Sequence, residues 1–190
     1  MKKWVACFWL ICQINFCFSQ QVVPVRWEKA LTMPIDSVVA LDASHLKWDT
    51  IPSQLYQFVH LTYLDLSKNR LKVLPLELGQ LKQLTVFKAE KNKITGAPIV
   101  LCQLTQLQKI YLGENDLTAI PDCLGYLQQL KVLDIWDNSI GSLPESFLQL
   151  KALKYVDMRG ILLTPKFQDQ WLKSMPQVTW QFDPPCHCAD

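Results

Sequence analysis

A 23-residue unit recurs five times without an insertion between residues 38 and 152, and this repeat constrains the fold more than any other feature. In residues 61–83, LTYLDLSKNRLKVLPLELGQLKQ, apolar residues stand at offsets 1, 4, 6, 11, 14, 18 and 21, with asparagine at offset 9 and proline at offset 15. Later units begin at Leu84, Leu107 and Leu130, and an earlier one begins at Val38. Five units in one phase predict stacked coils of equivalent structure, because a single unit cannot cover its own apolar face.

Each unit is predicted to contain a short strand, a tight bend and a short helical or irregular return. Alternation at offsets 4 and 6 is typical of a strand with one buried face. The asparagine has donors and an acceptor that satisfy backbone groups of the bend and of the neighbouring coil. Proline suits the first position of a helical turn. The predicted structural ladder is Asn69, Asn92, Asn115 and Asn138.

The pattern LxxLxLxxNxLxxLPxxLxxLxx, which runs from residue 38 to 152, resembles the leucine-rich repeat family in its 23-residue form. The stretch WEKAL…MPIDSVVALDAS resembles the entry segment of secreted bacterial members. The resemblance implies an α/β leucine-rich repeat solenoid, a right-handed β-α superhelix with a parallel concave sheet and short helical or irregular convex segments. It also implies a scaffold that binds many unlike partners.

The flanks define four predicted segments: a signal peptide at 1–19, an N-terminal cap at 20–37, repeats at 38–164, and a C-terminal cap and tail at 165–190. The apolar run at the start follows Lys2 and Lys3 and is too short for a permanent membrane span, which favours a cleaved secretory signal. A lipoprotein anchor or a retained membrane anchor is the rival interpretation. The expected location is secreted, periplasmic or at the cell surface.

Both caps are predicted to cover an end of the repeat stack. Trp27 and Leu31 are four residues apart and would share one side of a short helix that Pro34 ends. At the other end, residues 166–174 have helical spacing, and the alternating segment around Trp180 indicates a closing strand. These elements give seven predicted strands in total.

The charge balance argues against nucleic acid as a partner. The chain has 19 basic and 17 acidic side chains, and loss of residues 1–19 leaves 17 of each. A neutral chain lacks the basic surface that nucleic acids and anionic membranes require.

Four cysteines remain after removal of the predicted signal. Cys102 and Cys123 fall on neighbouring coils, and the sequence leaves open whether they form a disulfide or stay as small buried residues, because their offsets differ by two places. Cys186 and Cys188 belong to the tail, which could pair with itself, with the last coil or with another chain. A metal site there would need a fourth ligand from the fold, so no metal is predicted.

The sequence predicts neither an enzyme nor a cofactor. The six glycines are scattered, without the spacing of a phosphate-binding loop. Asp42, Ser44 and His45 together suggest an acid, a nucleophile and a base, but catalytic triads need buried and oriented partners. Ordinary solvated side chains at the edge of a sheet are therefore the preferred interpretation.

The concave sheet is the predicted binding surface, because residues at offsets 3, 5, 7 and 8 alternate with the buried ones. Tyr111, Trp136 and Tyr155 are the predicted anchors, since interfaces are enriched in aromatic residues and arginine. The predicted partner-binding residues are Tyr63, Asp65, Lys88, Glu90, Lys109, Tyr111, Asp134, Trp136, Tyr155, Asp157 and Arg159. The alternative is that these aromatic rings only support neighbouring strands.

The predicted function is protein–protein interaction without catalysis, through the concave sheet. Binding of a glycan or a cell-wall fragment by the same surface is one alternative, because aromatic rings stack on sugars and carboxylates accept hydrogen bonds from sugar hydroxyls. A purely structural surface protein is the other. The sequence does not identify the partner.

Overall fold

A computed structural model describes residues 23–185. The predicted signal segment, Cys186 and Cys188 lie outside the described residues. Within them, one open sheet of parallel strands follows the order of the chain. The strands are β1 Val25–Arg26, β2 Ala40–Asp42, β3 Tyr63–Asp65, β4 Val86–Lys88, β5 Lys109–Tyr111, β6 Val132–Asp134, β7 Tyr155–Asp157 and β8 Thr179–Gln181. The fold is the predicted α/β solenoid, although the described residues contain eight strands rather than seven.

Short helices complete the coils on the side opposite the sheet. Among residues 23–185 two are α-helices, α1 at Trp27–Ala30 and α2 at Pro165–Ser174. The others are 3₁₀ helices at Ile35–Ser37, Ser53–Gln57, Leu76–Gln80, Ile99–Gln103, Asp122–Tyr126 and Glu145–Gln149. Each 3₁₀ helix from Ser53 onward directly follows a repeat proline, whose carbonyl accepts the amide of the residue three places later. The proline therefore caps the helix instead of occupying its first position.

The core is a set of aligned apolar columns. Strand pairing keeps equivalent positions of successive repeats opposite each other, for example Leu64 with Phe87 and Ile110 with Leu133. These central strand residues are fully buried. A fixed 23-residue period produces this register, because each strand then begins at the same point of its coil.

The chain leaves each strand through a residue with left-handed backbone conformation at offset 8. The φ angle is 58° at Lys68, 55° at Lys91, and 51° at both Glu114 and Asp137, and Gly160 occupies the same place with φ 76°. The Lys68 amide donates to the carbonyl of residue 90 in the next coil, so the ladder of hydrogen bonds continues past the strand. This conformation turns the chain so that the next residue, the asparagine, points inward.

The ladder asparagines form an interior column that joins successive coils. Asn115 Oδ1 accepts the amide of Ile94 at 3.1 Å, while its Nδ2 donates to the carbonyls of Ala89 and Leu112, each at 2.9 Å. Asn69, Asn92 and Asn138 make the equivalent bonds. Each ladder asparagine thus forms hydrogen bonds both to its own coil and to the preceding one.

The N-terminal end is covered differently from the expectation. The Trp27 ring packs edge-on against Trp48, with centroids 5.0 Å apart, and against Phe58 at 6.2 Å. Leu31 does not share this face, because α1 ends at Ala30 and the Leu31 side chain is 53% exposed. The buried apolar residue of α1 is Ala30 instead.

The C-terminal end is closed by α2 and β8. Thr164 caps α2 by accepting the Phe167 amide at 3.3 Å. Trp171 is buried, and its ring lies 6.4 Å from that of Phe147 and 5.7 Å from that of Trp180. The final coil therefore packs against an aromatic cluster that takes the place of a further repeat.

A disulfide joins Cys102 and Cys123 on neighbouring coils, with their Cα atoms 5.6 Å apart. The two-place stagger left open by the sequence does not prevent the bond, because both cysteines lie in successive 3₁₀ helices. Separately, no helix within residues 23–185 is long and apolar enough to cross a membrane.

Candidate functional site

The predicted binding residues lie in aligned rows on the concave side of the sheet. Strand register places Tyr63, Val86, Lys109, Val132 and Tyr155 side by side in one row. It places Asp42, Asp65, Lys88, Tyr111, Asp134 and Asp157 in a second row. Glu90, Gly113, Trp136 and Arg159 follow the strands two residues beyond the second row. The fold thus brings all the predicted residues to one face.

On this face, two tyrosines are each hydrogen-bonded to an aspartate of the same strand. Tyr63 donates its hydroxyl to Asp65 at 3.3 Å, and Tyr155 donates to Asp157 at 3.0 Å. Burial, followed by the neighbouring carboxylate, raises the pKa of both tyrosines. These hydroxyls are therefore engaged in supporting the sheet.

Asp157 is more buried than the prediction of a contact residue requires. It is 1% exposed, and its carboxylate accepts the backbone amide and the guanidinium of Arg159, with Nε 2.9 Å from Oδ1. Burial opposes its ionisation, but the hydrogen bonds from Arg159 and Tyr155 outweigh burial and lower its pKa. Asp157 therefore positions Arg159, which is exposed, and does not itself offer a free surface.

The position of the Trp136 ring depends on a glycine at the equivalent position of the preceding coil. A β-carbon on Gly113 would lie 2.2 Å from Trp136 Nε1 and 2.4 Å from its Cδ1, so the indole occupies the space that any other residue would fill. The sequence carries this signal as a glycine at offset 7 beside a tryptophan at the same offset of the next repeat. Gly113 is not among the predicted binding residues.

Two lysines lie against the aromatic residues of the centre. Lys88 Nζ is 4.8 Å from the centroid of the Tyr111 ring, and Lys91 Nζ is 6.0 Å from that of Trp136. Lys91 also forms an ion pair with Glu114 at 2.5 Å. Lys91 and Glu114 were missing from the predicted site, although offset 8 is the signal that places them at its edge.

Asp134 has an unusual environment for an acid on this face. Burial raises its pKa to about 6, and the negative charges of Asp157 and Glu90 add to the effect. The Trp136 amide and the Arg159 guanidinium lower the pKa by less. Among residues 23–185, the buried Oδ1 atom of Asp134 has no hydrogen-bond partner.

The Tyr111 hydroxyl, like the Oδ1 atom of Asp134, has no hydrogen-bond partner among the described residues. Burial raises its pKa, with Asp134 and Glu90 contributing, yet within the described part of the chain its hydroxyl makes no hydrogen bond. The adjacent Tyr111 and Asp134 thus carry polar groups that the protein itself leaves free at the centre of the sheet. We call Tyr111, Asp134 and Trp136 the central triplet.

The suggested triad does not assemble as a catalytic group. Asp42 accepts the Ser44 amide at 3.0 Å and pairs with Arg26 at 2.8 Å. His45 has φ 63° and is exposed, and in the described structure its ring bonds to neither Asp42 nor Ser44. No group of three or more histidine, cysteine or acidic side chains within residues 23–185 is arranged to hold a metal ion.

The repeat architecture is matched by known proteins. A family model described as leucine rich repeat matches residues 59–117 and, again, residues 105–163, which together span more than half of the chain. The chain belongs to the leucine-rich repeat family. Members of this family typically serve as non-catalytic binding modules, and the fold is a protein–protein interaction fold. No curated protein sequence gives a significant match to this leucine-rich repeat protein.

Solved structures with the same fold come from bacteria and plants. A leucine-rich repeat protein of Leptospira interrogans superposes with a TM-score of 0.69 at 31% identity, covering 75% of this chain and 36% of that one. An internalin of Listeria monocytogenes gives a TM-score of 0.61 at 19% identity, covering 70% and 40%. The ectodomain of the Arabidopsis receptor kinase HAESA, solved with a peptide hormone ligand, gives 0.61 at 25% identity, covering 78% and 26%. This leucine-rich repeat protein therefore spans less than half of each of these structures.

Proposed function

We propose that this leucine-rich repeat protein is a non-catalytic secreted, periplasmic or cell-surface protein that binds a protein partner on its concave sheet. The observation that carries the proposal is the central triplet. Within the described residues its tyrosine hydroxyl and the Oδ1 atom of its carboxylate have no hydrogen-bond partner, while the flanking tyrosine–aspartate pairs are hydrogen-bonded to each other. Half-exposed aromatic rings beside free polar groups are what the centre of a protein interface requires.

Three further facts support the proposal. Parallel sheets are usually covered on both faces, whereas the concave rows here retain solvent exposure at Tyr63, Lys88 and Tyr111. The Cys102–Cys123 disulfide suits an oxidising compartment outside the cytosol. In addition, the related HAESA ectodomain holds a peptide hormone, which favours a peptide or protein ligand for this chain.

The test uses a double variant, Tyr111→Ala with Trp136→Ala, and a matched control, Tyr126→Ala. Tyr126 is 55% exposed and lies in a 3₁₀ helix on the opposite side of the coil. Affinity capture from the native host, followed by mass spectrometry, identifies the partner, and titration calorimetry with the purified partner gives the Kd. We expect the double variant to bind on the order of a hundredfold more weakly, because truncation of aromatic anchors costs about 2 kcal/mol or more each.

Thermal unfolding of each variant shows whether a loss of binding reflects a loss of folding. The control should retain the wild-type Kd, and the Tm of the double variant should stay within a few degrees of wild type. An unchanged Kd in the double variant would contradict the proposal. A glycan array provides the competing outcome: glycan binding that requires Trp136, without capture of a protein, would assign the surface to sugars instead.

A further inference from the structure

We infer that the partner inserts an arginine side chain at the centre of the concave sheet, where its guanidinium pairs with Asp134 between Tyr111 and Trp136. This inference rests on the proposed function and specifies the chemistry of the group that is bound. It follows from which aspartates of the sheet already have partners within the described residues and which one has a buried oxygen atom without a partner.

The other aspartates of the same row have partners within the protein, and Asp65 accepts the Tyr63 hydroxyl at 3.3 Å and the Ser67 amide at 2.8 Å. Asp42 pairs with Arg26 at 2.8 Å, and Asp157 holds the Arg159 guanidinium with Nη2 2.5 Å from Oδ2. Asp134 has no cationic partner within hydrogen-bond distance among residues 23–185, and its buried Oδ1 atom accepts no hydrogen bond there. Among residues 23–185, Asp134 is therefore the aspartate of this row that has a buried oxygen atom without a partner.

The nearby cations are not available to Asp134. Arg159 is held by Asp157 through its Nε and Nη2 atoms. Lys91 pairs with Glu114, and Lys88 lies over the Tyr111 ring. A half-buried carboxylate without a donor is costly, because burial removes water and leaves the charge uncompensated. A cation from a partner would relieve this cost without disrupting an existing pair.

The surroundings of Asp134 favour arginine. Register places Tyr111 directly beside Asp134 on the neighbouring strand, and Trp136 follows two residues later on the same face. A planar guanidinium stacks on an aromatic ring while its N–H groups bond to a carboxylate, whereas an ammonium has no flat face to stack. The excess of nearby acids, Glu90 and Asp157, adds a favourable field for a positive charge.

The experiment compares two short peptides that differ in one group, acetyl-Gly-Gly-Arg-Gly-Gly-amide and the same peptide with citrulline in place of arginine. Citrulline keeps the shape of arginine but carries no charge. Each peptide is titrated into the isotope-labelled protein, and NMR follows the Trp136 indole N–H and the titration of the Asp134 side-chain carboxyl. We expect the arginine peptide to shift the indole signal and to lower the midpoint of the Asp134 titration, and the citrulline peptide to do neither.

Variants separate a specific site from general charge attraction. Asp134→Asn should lose the response to arginine, whereas Asp122→Asn, an exposed aspartate in a 3₁₀ helix on the opposite side of the coil, should retain it. An Asp134 midpoint unchanged by saturating arginine peptide would overturn the inference. So would an equal response to citrulline, or a response that survives in Asp134→Asn.

With the captured partner in hand, the pH dependence of binding gives a second readout. The groups that face Asp134 are Tyr111, Glu90, Asp157, Arg159 and the Trp136 amide. Affinity should fall up to tenfold for each pH unit below about 6, because protonation removes the charge that pairs with the guanidinium. Asp134→Asn should bind more weakly throughout and lose this component of the pH dependence.

The two proposals fail in distinguishable ways. If alanine at Tyr111 and Trp136 abolishes capture while the arginine peptide and the pH profile give no response, the concave sheet binds a partner but not through arginine, and only the inference is overturned. If capture does not depend on the concave sheet, the proposed function fails, whatever the peptide titration shows.

Discussion

The indole of Trp136 lies where a side chain on Gly113 would be, with Nε1 2.2 Å from the position of a β-carbon on that glycine. The two residues occupy equivalent positions in successive repeats. A local sequence difference between neighbouring coils thus produces the aromatic centre of the concave face.

Replacement of Gly113 by alanine should displace the Trp136 ring. We expect a loss of about 1–3 kcal/mol in the free energy of unfolding, because overpacking forces a side chain or the backbone to move. Denaturant unfolding measures the loss, and tryptophan fluorescence reports the new environment of the ring. Gly96→Ala is the matched control, since no atom lies within 4 Å of its added methyl. Equal stability of Gly113→Ala and wild type would show that Trp136 is not held by the glycine.

Replacement of Asn115 by alanine should destabilise the solenoid by about 2–4 kcal/mol. The side chain bonds to the Ile94 amide and to the carbonyls of Ala89 and Leu112, and its loss leaves buried backbone groups without partners. Urea unfolding measures the change. Asp116→Ala, at the next and exposed position, should change stability by less than about 0.5 kcal/mol. Similar effects of the two substitutions would show that the hydrogen bonds of Asn115 do not stabilise the solenoid.

Reduction of the Cys102–Cys123 bond should lower the free energy of unfolding by about 3 kcal/mol, because the bond closes a loop of 21 residues in the unfolded chain. Unfolding curves with and without reductant measure the effect. The double variant Cys102→Ser with Cys123→Ser should resemble the reduced protein and should not respond to reductant. Peptide mapping of the unreduced protein must recover the two cysteines in one linked fragment; two free thiols there would refute the bond.

Asparagine at position 134 should stabilise the protein at neutral pH. The folded-state pKa of Asp134, about 6, lies above the ordinary aspartate value, so the folded protein holds the proton more tightly than the unfolded chain. The associated stability is present in full below the unfolded pKa of about 4 and is lost as pH rises through about 6. After discounting for solvent screening, Asp134→Asn should gain about 1 kcal/mol at pH 7.5 and nothing below about pH 4.

Asp157→Asn is the opposite case and serves as the comparison. Hydrogen bonds from Arg159 lower the pKa of Asp157, so its contribution to stability is present above the unfolded pKa and is lost as pH falls through the folded one. We expect this variant to be less stable than wild type at pH 7.5 by about 1–3 kcal/mol. Unfolding curves at pH 4, 6 and 7.5 cover both variants, and a stability change of the same sign at pH 7.5 would refute this electrostatic assignment.

The repeat spacing was sufficient to predict most of the fold. A period of 23 residues determines which residues pair across strands, and asparagine and proline each have a distinct hydrogen-bonding capacity that fixes the bend and the start of the helix. The N-terminal cap was harder to predict, because β1 and α1 lie outside the periodic region. Val25–Arg26 has no repeat spacing to mark it as a strand, and it becomes one by pairing with β2.

The concave face was predicted as a set of residues but not as an arrangement. Asp134 and Asp157 have the same offset, yet one is free and the other is buried and bonded. The difference comes from the residues two places before and after them, which are valine and tryptophan around Asp134 and tyrosine and arginine around Asp157. Spacing alone does not show which of these side chains reach the carboxylate. The disulfide depended similarly on the local geometry of two 3₁₀ helices.

The uninterrupted register has a consequence for the length scale of a linear ligand. Neighbouring strands lie about 4.8 Å apart, and a peptide in the polyproline II conformation advances about 3.1 Å per residue with three residues per turn. For such a peptide lying across the strands, side chains three positions apart share one face and are separated by about 9 Å, so they match every second coil, such as those of Lys88 and Asp134. A displayed library of proline-rich peptides selected on this protein would accordingly be enriched in pairs of specificity-determining residues at positions i and i+3.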